Sequence, residues 1–145
     1  MSRMTTFVFS ALLAFMSLNT AVAQSTAAEK EARTRVVMQV SDDDPKKWNL
    51  ALNNARNIQK DLGAKNVDIQ IVAYGPGIGM LKADSEIAAR VGQAKADGVQ
   101  LSACENTMTA QKLKKDDMNP ATGYVASGVV EIIRRQQVGY AYIRP

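Results

Sequence analysis

Histidine is absent from the 145 residues, and cysteine occurs once, as Cys104. Without imidazole there is no Ser-His-Asp or Cys-His nucleophilic machinery, and the commonest metal ligand is missing. One cysteine cannot form an internal disulfide, so the domain must stand on its hydrophobic core. Aromatic residues are scarce, at 6% of the chain, and none are interleaved with a basic stripe. The formal charge is +4, yet acidic runs at Asp42–Asp44 and Asp116–Asp117 break up the basic clusters at Lys112, Lys114, Lys115 and at Arg134, Arg135. Such mixed charge describes a solvated surface, and no nucleic-acid partner is expected.

Long apolar runs are also rare. One spans Phe7 to Leu18, preceded by Arg3 and followed by the small-x-small triplet Ala21-Val22-Ala23. That charge, length and cleavage pattern is expected of a secretory signal peptide over residues 1–23, cut after about Ala23. A retained anchor is the alternative, although the run is short for a membrane span. Residues 24–34, rich in Ala, Ser, Thr and mixed charge, are expected to be a flexible leader. The folded domain is then expected over 35–145, in the periplasm, with enough chain for one real core.

Within that domain, strand-like and helix-like patterns alternate about five times. Arg35–Val40 is a β-branched strand pattern. Asp44 and Pro45 suit the N-cap and first position of a helix that carries Trp48, Ala51, Leu52, Ala55, Ile58 and Leu62 at helical spacing and stops at Gly63. A second strand over Val67–Ala73 runs into the tight turn Tyr74-Gly75-Pro76-Gly77-Ile78-Gly79. A helix is expected over Ala83–Ala96, a third strand over Val99–Ala103, and a short helix from Glu105 to about Lys115. A brief fourth strand at Tyr124–Ala126 precedes a helix over Ser127–Gln137, with Val129, Val130, Ile132 and Ile133 available for burial; Tyr140–Arg144 closes the order as a strand. This alternation predicts a single α/β domain, a mostly parallel sheet of about five strands with helices on both faces.

The candidate chemistry centres on Cys104. In an open α/β sheet, ligands collect where strands end and helices begin. A thiol there meets unpaired N–H groups that favour the thiolate. Glu105 would oppose this as a neighbouring negative charge, or serve as an acid or base in a chain that lacks histidine. Asn106 could hydrogen-bond the sulfur, and Gly75, Gly77 and Thr107 would wall the pocket. The Gly75-x-Gly77-x-Gly79 spacing is neither a P-loop nor a dinucleotide fingerprint, because no Gly-Lys-Ser/Thr follows and Pro76 has no N–H to donate. No cofactor is expected. Three successive carboxylates at Asp42–Asp44 do not converge on one ion, so they are assigned to capping rather than to a metal.

Several stretches together resemble DsrE/DsrF-like proteins. They are Val36-Val-Met-Gln-Val-Ser-Asp42, Trp48-Asn-Leu-Ala-Leu-Asn-Asn54 with Arg56-Asn57, Val72-Ala-Tyr-Gly-Pro-Gly77, and Gly98-Val99 with Ala103-Cys104-Glu-Asn-Thr-Met108. The ending Gly128-Val-Val-Glu-Ile132 with Gln136-Gln-x-Gly-Tyr-Ala-Tyr-Ile-x-Pro145 extends the likeness over nearly the whole domain. The resemblance implies a compact α/β sandwich, often homo-oligomeric. In the sulfur-relay members a cysteine after a central strand carries sulfane sulfur as a persulfide, and Cys104 matches that position. Its partners would be sulfur donor and acceptor proteins or small sulfur species. Export departs from the cytoplasmic relay members. The alternative is a non-catalytic small-molecule-binding or assembly module whose cysteine is structural.

Overall fold

The computed structural model describes residues 33–145, so the signal peptide expected over 1–23 and nearly all of the leader lie outside the described residues. Five strands form one sheet in the order β4-β3-β2-β1-β5. They are β1 (Thr34–Val40), β2 (Val67–Ala73), β3 (Gln100–Cys104), β4 (Gly123–Val125) and β5 (Ala141–Ile143). Every pairing is parallel. Four α-helices follow the strands: α1 (Pro45–Leu62), α2 (Ala88–Ala96), α3 (Glu105–Ala110) and α4 (Gly128–Gln137). Parallel strands need such crossovers, so all the strand-to-helix junctions stand along one edge. Among the described residues no helix is long and apolar enough to cross a membrane.

Alternation along each strand divides the core in two. Val36, Met38, Val40, Ile69, Ile71, Leu101 and Ala103 face α1, α2 and α3, and meet Trp48, Ala51, Leu52, Ala55, Val91 and Met108. Asp44 caps α1 as its sequence suggests, accepting the Lys46 N–H at 2.8 Å, and Trp48 is anchored by its indole N–H on the Asp42 carbonyl at 2.8 Å. The opposite sheet face is smaller. Val37, Val72, Ile132 and Tyr140 pack there, joined by Tyr74 and Val125, and α4 supplies the covering helix.

Three elements differ from the sequence expectation. Helix α2 begins at Ala88 rather than Ala83. The preceding chain is tied elsewhere, with the Ala83 N–H on the Asp117 carbonyl at 2.9 Å and Lys82 bridged to Met118. Helix α3 ends at Ala110 rather than near Lys115, because Lys112 turns left-handed at φ 58° and the Leu113 N–H closes back on Met108 at 2.8 Å. The glycine-rich segment is a 3₁₀ stretch over Gly75–Leu81 rather than an isolated tight turn. On α4, Ile132 is buried while Val129, Val130 and Ile133 are exposed. The helix instead turns Glu131 and Arg135 inward, where Arg135 binds Glu131 at 2.7 Å and the Tyr140 hydroxyl at 3.0 Å, and that hydroxyl also reaches Asp68.

Candidate functional site

Cys104 is the last residue of β3 and the N-cap residue of α3, and it is buried. Its register partner on β4 is Val125. Side-chain alternation puts it on the α4 side of the sheet. Helix α4 arrives there through Gly128, where a Cβ would stand 3.3 Å from the Cys104 Cβ and 3.0 Å from that of Tyr74. A side chain here would force its neighbours to give by a few tenths of an ångström, and glycine lets the first turn of α4 come this close without that shift.

The sulfur makes no completed capping bond to α3. It nevertheless stands among donors. Burial pushes the thiol pKa up, but the Thr107 hydroxyl and the N–H groups of Gly128, Thr107 and Asn106 outweigh that effect, so the net direction is downward from 9.0. These donors are all uncharged; hydrogen bonds to the anion do the work a cation does elsewhere. The Asn106 N–H also donates to the Ala126 carbonyl at 3.2 Å, which ties the start of α3 to the loop before α4.

Behind this first ring lies the glycine-rich segment. The Gly75 N–H donates to Thr107 Oγ1 at 3.0 Å, and the Gln111 amide donates to the Gly75 carbonyl at 3.1 Å. Gly75 has φ 54°, a conformation that costs glycine little. Gly77 is pressed against β1: a Cβ there would run into the Val40 carbonyl and come within 2.8 Å of Ser41 Cα. Tyr74 borders the site on the other side. Burial raises its hydroxyl pKa above 10.0, and the neighbouring Tyr142, Asp42 and Cys104 act in the same direction against Arg144. Asp42 itself pairs with Lys47 at 3.1 Å and with Arg144 at 3.6 Å.

Of the residues singled out in the sequence, Thr107 follows Cys104 by one helical turn and is among the groups that lower its pKa, and the Gly75 N–H is bonded to Thr107 at 3.0 Å. Gly77 shapes the segment from the β1 side. Asn106 presents its backbone N–H to the site, whereas Glu105 is exposed in the first turn of α3. Sequence reasoning missed Tyr74 and Gly128. A glycine directly after the helix-starting Ser127 was the available signal, since glycine is a poor helix residue and marks close approach. A cleft lined by Leu52, Ala55, Arg90 and Val99 lies between α1 and α2, on the opposite face of the sheet from Cys104. Among the described residues no group of three or more His, Cys, Asp or Glu side chains could hold a metal ion.

The fold and site define a class: an α/β domain with an all-parallel sheet and a shielded thiol at the carboxyl edge of a central strand. Residues 35–145 match the model of the DsrE/DsrF-like family, and the chain belongs to that sulfur-relay-related family. Among solved structures it is similar to MTH1491 of Methanobacterium thermoautotrophicum, a protein of unknown function. The two are 40% identical with TM-score 0.74, over 77% of this chain and 99% of that one. It shares the fold of BT1422 of Bacteroides thetaiotaomicron, also of unknown function, at 11% identity and TM-score 0.60 over 77% of this chain and 94% of that one. The ychN protein of E. coli has the same fold at 9% identity and TM-score 0.59, over 78% of this chain and 99% of that one. No curated protein matches the sequence.

Proposed function

We propose that this protein is an exported sulfur carrier that holds sulfane sulfur as a persulfide on Cys104. The observation that carries the reading is the set of uncharged donors around a buried sulfur at the carboxyl edge of the sheet. A thiolate held this way is a competent nucleophile. It would attack the outer sulfur of a donor persulfide, forming the new S–S bond while the bond within the donor breaks and its thiolate leaves. An acceptor thiolate would then attack the outer sulfur on Cys104 and release the Cys104 thiolate again. Neither step changes the total oxidation level, and neither needs a resolving thiol in this chain.

The family supports the chemistry, and the N-terminal sequence pattern supports export. Donor and acceptor are protein persulfides and thiols or small sulfur species. Val129, Val130 and Ile133 on the outer side of α4, with Val138 just beyond it, are all at least 41% exposed. That apolar stripe supports a homo-oligomer.

Intact-mass spectrometry after incubation with a sulfane-sulfur donor tests the reading. The wild type should gain one sulfur mass, lose it on reduction, and fail to gain it as Cys104→Ser. The burial of Cys104 favours a second reading, a non-catalytic binding or assembly module with a structural cysteine. No sulfur gain, with a thiol that resists alkylation until the protein unfolds, would establish that reading instead.

A further inference from the structure

Helices α1 and α2 pack together on the sheet face away from Cys104, and two polar ties join them. At one tie Arg90 of α2 donates through Nη1 to Asn49 Oδ1 and through Nη2 to Asn53 Oδ1, the second bond at 2.8 Å. The Asn49 amide nitrogen is engaged by the Pro45 carbonyl at 2.9 Å, which turns its oxygen toward the arginine. At the other tie the Gln59 amide donates to the Asp97 carbonyl at 2.7 Å. Between the ties lies a cavity of about 90 Å³. Leu52, Ala55, Ala94 and Val99 give it an apolar lining, and Arg56 and Arg90 line it as well.

The positive charge around this cavity is uncompensated. Arg90 is fixed by two neutral carbonyl oxygens, which orient the guanidinium without cancelling its charge and leave the rest of its donor fork unused. Arg56 is exposed and forms no ion pair among the described residues. The one carboxylate on the lining, Asp97, accepts the Gln93 amide at 2.9 Å and pairs with neither arginine. Two guanidinium groups beside an apolar hollow are complementary to a small anion that carries a hydrocarbon tail. The volume is about three times a water's share of the liquid, far too little for a nucleotide or a drug-sized molecule.

We propose that the cleft between α1 and α2 binds a short-chain monocarboxylate, its carboxylate held by Arg56 and Arg90 and its tail lying on Ala55, Ala94 and Val99. No covalent step is involved. The sheet stands between this cleft and Cys104, so the site does not rest on the sulfur-carrier reading. Asn49, Asn53 and Arg56, at helical spacing along α1, thereby serve one purpose: two aim Arg90, and the third binds beside it.

The test is a titration of the purified protein with sodium butyrate at constant ionic strength, followed by nitrogen-edited NMR of the backbone and of the arginine Nε–H groups. Signals of Ala55, Arg56, Arg90 and Ala94 should shift together and saturate with a Kd on the order of 1 mM, within reach of a ligand of about six non-hydrogen atoms. Arg56→Gln and Arg90→Gln should each weaken binding about tenfold, the scale of one hydrogen bond to a charged group. Ala94→Leu keeps both arginines, fills the hollow and should abolish binding. Butyramide, with the tail but no charge, and sulfate, with charge but no tail, should each bind about tenfold more weakly or worse. Arg56 is exposed and holds nothing in place, so Arg56→Gln folds and its result stands even where another variant does not. Unchanged affinity in Arg56→Gln overturns the proposal, as does a wild type that shows no saturation by about 50 mM butyrate. Sulfate that binds as tightly as butyrate overturns it too, since the cleft would then attract any anion without reading the tail.

Discussion

Gly128 lies so close to Cys104 that a side chain on it would have to displace either the cysteine or Tyr74, with Cβ separations of 3.3 and 3.0 Å. Cysteine and glycine come from different strand–helix units, β3–α3 and β4–α4, and their contact joins the two units at the sulfur.

Gly128→Ala should therefore act on both stability and chemistry. Tyr74 and the first turn of α4 must yield by a few tenths of an ångström, at a cost of about 1–2 kcal/mol, the lower part of the range for overpacked sites. The same shift withdraws the Gly128 N–H from the sulfur. Urea unfolding should show the loss of stability, and the alkylation rate of native Cys104 at neutral pH should fall several-fold. An unchanged alkylation rate in a folded variant would show that the Gly128 donor does not matter to the thiol.

The lowered Cys104 pKa has a consequence for stability. Burial opposes the thiolate, while the Thr107 hydroxyl and the surrounding N–H groups favour it and prevail. A group whose pKa is depressed on folding contributes stability that is present above its unfolded pKa. That stability is lost as the pH falls through the folded pKa. The advantage of the wild type over Cys104→Ser should thus grow with pH across a window that ends near the ordinary thiol value of 9.0. Urea midpoints for the two proteins across this window measure it, and a constant difference would contradict the assigned direction.

The apolar stripe on α4 predicts self-association. Ile133 is 48% exposed in the single chain, so Ile133→Glu should leave the fold intact and change its stability by no more than about 0.5 kcal/mol. In sedimentation velocity the variant should run as a smaller species than the wild type. A wild type that sediments as a monomer at every concentration would remove the homo-oligomer from the proposal.

The fold was legible because its punctuation is local. Asp44-Pro45 starts α1, Gly63 stops it, and the β-branched runs at β1 and β2 have no other good reading. What the sequence hid was set by partners distant along the chain. The late start of α2 depends on Asp117 taking the Ala83 N–H, and the early end of α3 depends on Lys112 adopting a conformation that side chains usually avoid. Helix α4 has enough apolar residues for two faces. Which face turns inward was decided by Glu131 and Arg135, drawn to Tyr140 and Asp68 beneath the helix. At the site, Cys104 and Thr107 were visible because they lie on one short stretch. Tyr74 and Gly128 come from other units of the fold, and only the parallel register brings them to the sulfur.

The position of β1 inside the sheet sets the order in which the molecule can be completed. β1 pairs with β2 on one side and with β5 on the other, and Val36 meets Ala141. A newly made β1 finds its first neighbour early, but the second is translated about a hundred residues later, an interval of roughly 5–20 s at ordinary rates of synthesis. Throughout that interval one edge of β1 is an open template for hydrogen bonding, and contacts this distant in sequence are slow to form. The topology thus keeps the nascent chain incompletely folded until β5 emerges, which leaves time for any factor that must take it up before it folds.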